Sequence, residues 1–352
     1  MNGGAASMVE AVTPGGGNMG GTGQEDIQSL RGMITAGWKT RIIYEGVRTG
    51  LFDALRDEPR DTASLAAELH LHEGTLFRVL RALCSLSVCR HVGPRSFAIT
   101  SMGALLKSDA ESSFRSLSIH WGGRVMASLE TIGHTLETGE PGRGKGDFGS
   151  LNASAFDGQA FNRAMADQSR PVARVLAQLH DFSRYDCVMD VGGGYGGLLT
   201  EVLLAHPNVQ GAIYDLPAVE AGAVDYLSDA GLRDRVRYMP GSFFENVAPG
   251  ADCLLLKFIL HDWDDRESAT ILANCRAAME EGASLLIVER IMPERAGPDS
   301  EDVVRQDLVM MPIDGKERTL AELETLGADA GFALVGTAPL AEGCSLIEMR
   351  AS

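Results

Sequence analysis

The feature that most constrains the fold is a run of five glycines within six residues, Gly192-Gly193-Gly194-Tyr195-Gly196-Gly197. The residues before it, Cys187 to Val191, predict a buried strand, and the residues after it, Leu198 to Ala205, predict a helix. Glycines at such a junction let the backbone approach a ligand and leave N–H groups available at the helix N-terminus. This segment therefore predicts the ligand-binding strand–loop–helix unit of an α/β fold.

Strands and helices alternate through the C-terminal half of the chain. Further strands are predicted at Val209 to Tyr214, Val236 to Met239, Cys253 to Leu260 and Leu285 to Glu289. Such alternation is typical of a parallel sheet with helices on both faces. Phe332 to Pro339 and Ser345 to Met349 instead predict two strands joined by a short loop, so we expect the sheet to end in an antiparallel hairpin.

The N-terminal part has a helical pattern that ends in a β ribbon. Helices are predicted at Ile34 to Leu55, Ala63 to Leu69 and Gly74 to Leu86, followed by two short strands within Cys89 to Thr100. This order is typical of a winged helix. Its arginines would suit DNA, but the net charge of −17 favours a packing or dimerisation module. The arginines are Arg78, Arg81, Arg90 and Arg95.

The start of the chain and the cysteines indicate the environment of the protein. Residues 1–24 are glycine-rich and lack a basic or apolar signal segment, so we predict a disordered leader. No run approaches the roughly 18 apolar residues that a membrane helix needs. The six cysteines are scattered without a metal-binding pair, which favours reduced thiols. We therefore expect a soluble, cytoplasmic protein with no structural metal.

The glycine loop alone is compatible with two nucleotide cofactors. Gly192, Gly194 and Gly197 satisfy the dinucleotide pattern G-x-G-x-x-G, and Asp215 would bind ribose hydroxyls in either case. Asp190 favours S-adenosylmethionine, because a carboxylate beneath the ligand suits a sulfonium and an ammonium better than a pyrophosphate. The terminal hairpin favours the same cofactor. The alternative is that Asp190 merely accepts hydrogen bonds from the loop amides.

A second candidate site follows the strand predicted from Cys253 to Leu260. His261 stands at its carboxyl end and precedes the acidic residues Asp262, Asp264 and Asp265. Ligands gather at this edge of an open α/β sheet. A histidine, with an unperturbed pKa of about 6.5, can accept a proton near neutral pH. This position favours a catalytic base over a structural histidine.

Taken together, these motifs resemble the small-molecule O-methyltransferases of the plant caffeate and bacterial polyketide type. The resemblance covers roughly residues 30–350 and includes Lys257. It implies a Rossmann-like methyltransferase sheet over residues 181–352 and a helical winged-helix dimerisation domain over residues 25–180. Such proteins are homodimers whose N-terminal domains intertwine. The matching segments are Asp190 to Gly196, Tyr214-Asp215-Leu216-Pro217, Gly241-Ser242-Phe243-Phe244, Leu260 to Asp265 and Lys316-Glu317-Arg318-Thr319.

The resemblance also implies roles for individual residues. His261 would be the general base, oriented by Glu289 and Glu317. Ser242 stands where the family usually has an acid that contacts the adenine amino group, and a serine would bind that group more weakly. The predicted cofactor-binding residues are Asp190, Gly192, Gly194, Asp215, Leu216, Ser242, Phe243 and Lys257. The predicted acceptor pocket contains Trp121, Phe161, Met165, Asp262 and Met311.

We therefore expect transfer of the S-adenosylmethionine methyl group to a hydroxyl, phenolic in type, of a small aromatic natural product. The second product would be S-adenosylhomocysteine, and no metal, nucleic acid or membrane is expected to take part. Two alternatives remain open. Some relatives of this scaffold keep the cofactor but carry out decarboxylation, hydroxylation or pericyclic chemistry, and a nicotinamide-dependent oxidoreductase would use the same glycine pattern.

Overall fold

The computed structural model describes residues 22–110, 113–145 and 155–352. The first helix, α1, begins at Thr22, which lies inside the segment predicted to be a disordered leader. Residues 1–21 lie outside the described ranges, so the leader stays a prediction there. Within these ranges, no helix combines the length and the apolar composition needed to span a bilayer.

The N-terminal region has the expected order of helices followed by a β ribbon. The single helix predicted from Ile34 to Leu55 is divided, because the chain turns at Thr35-Ala36 and again at Gly50, whose φ is +74°. Asp61 caps one helix by accepting a hydrogen bond from the Ala63 N–H at 2.8 Å. The elements are α1 (Thr22–Ile34), α2 (Gly37–Arg48), α3 (Leu51–Ala54), β1 (Arg60–Asp61), α4 (Thr62–Glu68), α5 (Glu73–Ser85), β2 (Cys89–Gly93), β3 (Ser96–Ile99) and α6 (Ser101–Ala104).

These elements share a core of their own. The three strands form an antiparallel sheet in the order β1-β3-β2, and Phe97 from β3 is fully buried against the helices. Cys84 and Cys89 also meet there, with their Sγ atoms 3.2 Å apart. The sequence alone had indicated only scattered thiols, because these two residues lie on different elements.

The middle of the chain is helical, as expected. A π-helix, His120–Val125, lies between α7 (Arg115–Ile119) and α8 (Met126–Leu129). Then follow α9 (Ile132–Thr138) and the long α10 (Ala155–Leu179). The C-terminal half of α10 packs into the core of the large sheet through Val172 and Leu176, so this helix connects the N-terminal helices to the sheet.

The C-terminal region is a seven-stranded sheet in the order β6-β5-β4-β7-β8-β10-β9. Strands β4 to β8 are parallel, and β10 runs antiparallel to both β8 and β9. The predicted parallel sheet with a terminal antiparallel hairpin is confirmed. The elements are β4 (Cys187–Val191), α11 (Gly197–Ala205), β5 (Gln210–Asp215), α12 (Glu220–Asp229), β6 (Val236–Pro240), β7 (Cys253–Lys257), α13 (Asp265–Ala277), β8 (Ser284–Arg290), α14 (Glu301–Met310), α15 (Leu320–Asp329), β9 (Phe332–Pro339) and β10 (Cys344–Ala351).

The strand order positions the ligand-binding edge. The chain passes from β4 to β5 on one side, and β7 pairs with the other side of β4. At such a switch point the loops after neighbouring strands diverge and leave a crevice beyond their carboxyl ends. The glycine loop follows β4, and the His261 segment follows β7, so both predicted sites lie at this crevice.

Strand β7 is shorter than predicted. It ends at Lys257, and Phe258 adopts a φ of +54°, which is incompatible with an extended strand. His261 therefore lies on a 3₁₀ turn, Leu260–Asp262, instead of directly at the end of the strand. The buried apolar run Cys253 to Leu260 concealed this turn, because Ile259 and Leu260 are buried although they are not in the strand.

Candidate active site

The glycine loop has a backbone that other residues adopt only with strain. Gly192 has φ +72° and Gly194 has φ +56°, both in the left-handed region. A Cβ atom on Gly192 would also lie 2.4 Å from Cδ1 of Ile259. At Gly194 the nearest described atom is 3.6 Å from the Cβ position. The loop thus presents bare backbone toward the crevice, which is the surface that a bound nucleotide needs.

Helix α10 packs directly against this loop. A Cβ atom on Gly197 would lie 2.5 Å from the Ala166 carbonyl oxygen, and Asn162 Oδ1 lies 3.6 Å from the Cβ position of Gly194. Phe161 and Met165 precede these two contact residues by one position each, one helical turn apart. The helix that carries Phe161 and Met165 therefore packs against the glycine loop, and their place in an acceptor pocket stays a prediction.

Asp215 organises the loop through both of its carboxylate oxygens. Oδ2 accepts a hydrogen bond from the Gly194 N–H at 2.7 Å, and Oδ1 accepts one from the Leu216 N–H at 2.6 Å. Burial raises the pKa of Asp215 despite these two donors. The Leu216 carbonyl in turn accepts the Tyr238 hydroxyl at 2.7 Å. Each carboxylate oxygen keeps a lone pair that can accept a ribose hydroxyl.

Asp190 lies beneath the loop, and no hydrogen bond to it is formed by the residues that the structure describes. Its side chain is 3% exposed, and its Cγ atom lies 2.8 Å from the Cβ position of Gly193. Burial raises the pKa of Asp190 to about 7; the Lys257 ammonium opposes this shift, and Asp215 adds to it. In the described part of the chain, no loop amide donates to this carboxylate. The structure therefore contradicts the alternative in which Asp190 serves only to bind those amides.

This arrangement predicts that an Asp190→Asn substitution raises the stability of the protein but weakens its binding of S-adenosylmethionine. Because the folded-state pKa is raised, the penalty for burying the charge is absent below about pH 4 and complete above about pH 7. The wild-type protein thus loses stability from this group as the pH rises through that window. We expect Asp190→Asn to raise Tm by several degrees at pH 8 but not at pH 4, and to weaken S-adenosylmethionine binding about tenfold or more.

Thermal unfolding at both pH values, together with titration calorimetry, would measure the two effects. Asp252→Asn is a suitable control, because that carboxylate is paired with the Asp186 and Cys187 N–H groups at 2.9 Å each, at the opposite end of β4. A variant at position 190 that is less stable at pH 8 would contradict the prediction.

The remaining predicted cofactor residues lie at the ends of β6 and β7. The Phe243 ring comes within 3.4 Å of the Gly192 Cβ position, and Ser242 Oγ accepts the Phe244 N–H at 3.3 Å. The Lys257 Nζ atom lies 3.9 Å from the centroid of the Phe258 ring. Burial lowers the pKa of Lys257 to about 8. Ser242 thus has a structural hydrogen bond in its own loop, and its contact with adenine stays a prediction.

His261 is enclosed by three carboxylates. Its Nδ1 atom lies 2.9 Å from Glu317 Oε1 and 3.5 Å from Glu289 Oε2, while Nε2 lies 3.6 Å from Asp262 Oδ1. Burial by itself would lower the pKa of His261, but the charges of Glu289, Glu317 and Asp262 raise it to about 10. The sequence prediction that Glu289 and Glu317 lie beside His261 agrees with this geometry, which makes the imidazole an unusually strong base.

Glu289 also holds the backbone of the turn. Its Oε1 atom accepts the Leu260 N–H at 3.1 Å and the His261 N–H at 3.4 Å. Burial raises its pKa to about 7. Among the described residues, Oε2 of Glu289 and Oε2 of Glu317 have no hydrogen-bond partner. Their charge is therefore balanced mainly by the imidazolium.

The predicted acceptor residues differ in their relation to the His261 imidazole. Asp262 is next to the imidazole, and burial raises its pKa to about 6. Trp121 lies on the π-helix, where the Arg305 guanidinium is 5.7 Å from its ring centroid. Met311 begins a 3₁₀ turn just after α14. Because no described contact joins Trp121 or Met311 to His261, their place in the pocket stays a prediction.

Two residues at the site were not among the sequence candidates. The Phe258 ring stacks on the His261 ring, with centroids 5.1 Å apart and planes inclined by 14°. Arg318 is 2% exposed and bonds to the carbonyls of the His261 turn. Arg318 could have been found as a charged residue within the matching Lys316 to Thr319 segment. Phe258 gave no such signal, because its positive φ cannot be read from an apolar sequence.

Within the described ranges, two clusters contain residue types that bind metals, and each has another source of positive charge. In the first, His261 hydrogen-bonds to Glu317 at 2.9 Å. In the second, the Lys145 ammonium lies between three carboxylates. Its Nζ atom is 2.8 Å from Asp264, 3.4 Å from Glu267 and 2.9 Å from Asp314. Neither cluster requires a metal ion, and the expected absence of one stays a prediction.

Comparison with known proteins identifies the family. The family model of the O-methyltransferase domain matches residues 140–333. A phenazine O-methyltransferase, PhzM, from Lysobacter antibioticus is 36% identical over 90% of this chain and 94% of its own length. The solved structure of LaPhzM has a TM-score of 0.87 and 35% identity, covering 93% of this chain and 99% of the other.

A third relative was solved with ligands. It is the O-methyltransferase NcsB1 from neocarzinostatin biosynthesis, in complex with S-adenosylmethionine and 2-hydroxy-5-methyl naphthoic acid. It has a TM-score of 0.76 and 28% identity, covering 89% of this chain and 96% of the other. The bare loop at Gly192 and the buried acids Asp190 and Asp215 fit the cationic, ribose-bearing S-adenosylmethionine. This protein belongs to the S-adenosylmethionine-dependent O-methyltransferase family.

Proposed function

We propose that this enzyme methylates a phenolic hydroxyl of a small, planar aromatic natural product, with His261 as the general base. The observation that carries the proposal is the His261 imidazole, which three carboxylates hold at the carboxyl edge of the sheet. It lies on the turn after β7, beside the strand that leads into the glycine loop. A base next to a cofactor loop is what deprotonation of an acceptor requires.

The hydrogen bond to Glu317 assigns the roles of the two ring nitrogens. Nδ1 carries the proton that Glu317 accepts, so Nε2 is the nitrogen that takes the acceptor proton. A phenol has a pKa of about 10, close to the pKa of about 10 for His261. Proton transfer between groups of matched pKa costs little free energy. When bound, S-adenosylmethionine supplies the methyl group, and breaking its carbon–sulfur bond leaves S-adenosylhomocysteine and the methyl ether.

The acceptor class is supported by the relatives and by the chain itself. PhzM is named for a phenazine, and NcsB1 was solved with a naphthoic acid. In this chain, Phe161 and Met165 are the neighbours in sequence of Asn162 and Ala166, which lie against the glycine loop. We propose that their apolar side chains contact a flat ring. Trp121 and Met311 are the further pocket residues that we propose.

Mass spectrometry of reactions with a panel of phenols would test this function. We expect a gain of one CH₂ unit that depends on S-adenosylmethionine, and calorimetric binding of S-adenosylmethionine but not of NADH. Loss of carbon dioxide or gain of an oxygen atom, without methylation, would instead support one of the other reactions of this scaffold. Binding of NADH alone would contradict the cofactor assignment for this chain.

We propose that the enzyme works as a homodimer formed through its N-terminal domain. Helix α1 presents apolar side chains on its surface although it has no described partner for them. One side of it contains Ile27, Leu30 and Ile34, spaced at helical intervals. An apolar stripe of this kind is typical of a protein–protein interface. The exposed fractions are 54% for Ile27, 59% for Leu30, 71% for Met33 and 75% for Ile34.

An Ile27→Asp, Ile34→Asp double variant should therefore dissociate the dimer. Two charges placed in an apolar interface would have to be buried without partners, so we expect the dimer Kd to rise at least about a hundredfold. Light scattering after gel filtration would measure the mass. Leu204→Asp is the control, because Leu204 is 54% exposed on α11. A wild-type monomer, or a double variant that stays dimeric, would contradict the proposal.

The contacts of Arg95 indicate the role of the winged-helix-like unit. Arg95 pairs with Glu73 and lies over the Phe77 ring, so this arginine has partners within its own unit. We therefore propose that the unit serves packing and dimerisation and does not bind nucleic acid.

We propose that the protein works in a reducing compartment such as the cytoplasm, because all six cysteines are free thiols.

A further inference from the structure

We infer that Arg318 is a positioning residue that sets the placement of the His261 imidazole; this role rests on the proposed base function of His261. The guanidinium is buried at 2% exposure. It lies on the segment that follows the 3₁₀ turn at Met311–Ile313, directly after Glu317. Adjacent residues of one segment therefore bind the side chain of His261 and the backbone that carries it.

The guanidinium bonds to three points around the His261 turn. Nη1 donates to the Leu260 carbonyl at 2.6 Å, and Nη2 donates to the Trp263 carbonyl at 2.8 Å. Nε donates to Asp265 Oδ1 at 2.9 Å. The bonded carbonyls flank His261 on both sides, so the turn cannot rotate without breaking at least one of these bonds.

An arginine suits this task better than other cations. Other donors reach these two carbonyls at longer distances than Arg318 does. The Trp263 N–H lies 3.3 Å from the Leu260 oxygen, and the Ser268 hydroxyl lies 3.3 Å from the Leu260 oxygen and 3.5 Å from the Trp263 oxygen. The planar guanidinium presents fixed donors in several directions, whereas a lysine ammonium acts as a flexible point charge. Arg318 therefore satisfies the buried carbonyls and fixes their geometry at the same time.

Backbone contacts tie the two segments together in register. The Lys316 N–H donates to the His261 carbonyl at 2.9 Å. The Glu317 N–H donates to Asp307 Oδ1 at 2.9 Å, which holds the same segment against α14. A Cβ atom on Gly315 would lie 2.2 Å from the same His261 carbonyl oxygen. With the segments this close, the position of Arg318 helps to fix the 2.9 Å separation between His261 Nδ1 and Glu317 Oε1.

A positioning role and a purely structural role lead to different kinetics. Loss of a structural arginine would lower stability without changing how His261 titrates. Loss of a positioning arginine would let His261 move away from Glu317, which lowers the pKa of the imidazolium. The Arg318→Lys variant separates the effect of the charge from the effect of the hydrogen-bond geometry. A lysine keeps the positive charge but cannot form the three hydrogen bonds of the guanidinium.

The experiment compares Arg318→Met, Arg318→Lys and Arg235→Met in the full-length enzyme with a phenol that it methylates. Arg235 is a matched control, because it donates to three carbonyls at the opposite end of the sheet. These are Leu203 at 2.9 Å, His206 at 2.8 Å and Val209 at 2.7 Å. Measurements are kcat, the KM for S-adenosylmethionine and the pH profile of kcat/KM for the phenol.

We expect Arg318→Met to reduce kcat roughly tenfold to a hundredfold while KM for S-adenosylmethionine stays within about twofold. Its pH profile should move to lower pH by about one unit, and Arg318→Lys should partly restore both kcat and the profile. Arg235→Met should change neither. If Arg318→Met does not fold, the pH profile of kcat/KM for Arg318→Lys tests the inference, and it should move to lower pH relative to wild type.

The inference would be overturned if the Arg318 variants lost activity with an unchanged pH profile, or if Arg235→Met gave the same loss and shift. Failure of the proposed function is distinguishable from this outcome. If His261→Ala kept full turnover, the base role itself would be wrong. If His261→Ala were inactive and the Arg318 profiles matched wild type, only the role of Arg318 would be wrong.

Discussion

His261→Ala is expected to reduce kcat for methyl transfer by about 10²–10⁴-fold while leaving S-adenosylmethionine binding nearly unchanged. The side chain contacts Glu317, Glu289 and Asp262, and no described contact joins it to the glycine loop. Initial rates at saturating cofactor, with calorimetric titration of S-adenosylmethionine, separate the two quantities. His206→Ala is the control, since His206 bonds to the Ala177 carbonyl on the opposite side of the sheet.

The same base predicts a pH dependence with a definite sign. Because the His261 pKa is raised to about 10, most molecules hold the imidazolium at neutral pH. The fraction of neutral imidazole therefore grows about tenfold per pH unit below that pKa, and kcat/KM should rise from pH 7 toward pH 10. Ionisation of the phenol would produce a similar rise of kcat/KM with pH. A variant is therefore needed to distinguish ionisation of the phenol from ionisation of His261.

Glu317→Gln makes that distinction. Removal of the carboxylate 2.9 Å from Nδ1 lowers the pKa of the imidazolium, so the rising limb should move to lower pH by about one unit or more. The pKa of the phenol in solution is the same in both experiments. An unshifted limb in Glu317→Gln, or near-full turnover in His261→Ala, would contradict the assignment of His261 as the base.

The second large effect is expected at the glycine loop. Gly192→Ala would combine a φ of +72° with a Cβ atom 2.4 Å from Ile259 Cδ1. The left-handed backbone costs about 1–2 kcal/mol for alanine, and relief of the contact must move Ile259 or the loop. If the loop backbone faces the cofactor as we propose, S-adenosylmethionine affinity should fall about tenfold to a hundredfold.

Gly231→Ala separates the loss of binding from the backbone strain. Gly231 has a φ of +70°, and apart from its chain neighbours no described atom lies within 4 Å of its Cβ position. Both variants should lose similar stability from the left-handed backbone, but only Gly192→Ala should lose cofactor affinity. Thermal unfolding and calorimetric titration measure the two effects. Equal affinities in the two variants would mean that the Gly192 backbone does not face the cofactor.

The sequence was most informative where a local pattern has one physical meaning. The period of the apolar residues predicted the parallel strands, and Phe332–Pro339 was predicted with its observed bounds. The boundary at Leu260 was wrong, because burial of Ile259 and Leu260 imitates a strand although Phe258 has already turned the chain. Apolar periodicity reports burial and cannot report a single positive φ.

The sequence by itself therefore determined the fold class, the cofactor loop and the residue types of the site. It indicated His261 through its place after a buried strand, and the family resemblance implied the roles of Glu289 and Glu317. Only the tertiary structure decided that no described loop amide donates to Asp190, that three carboxylates raise the His261 pKa, and that Arg318 bonds to the His261 turn. These properties depend on distances between segments as far as 58 residues apart, and Coulomb and hydrogen-bond energies depend on such distances. No local sequence pattern encodes them.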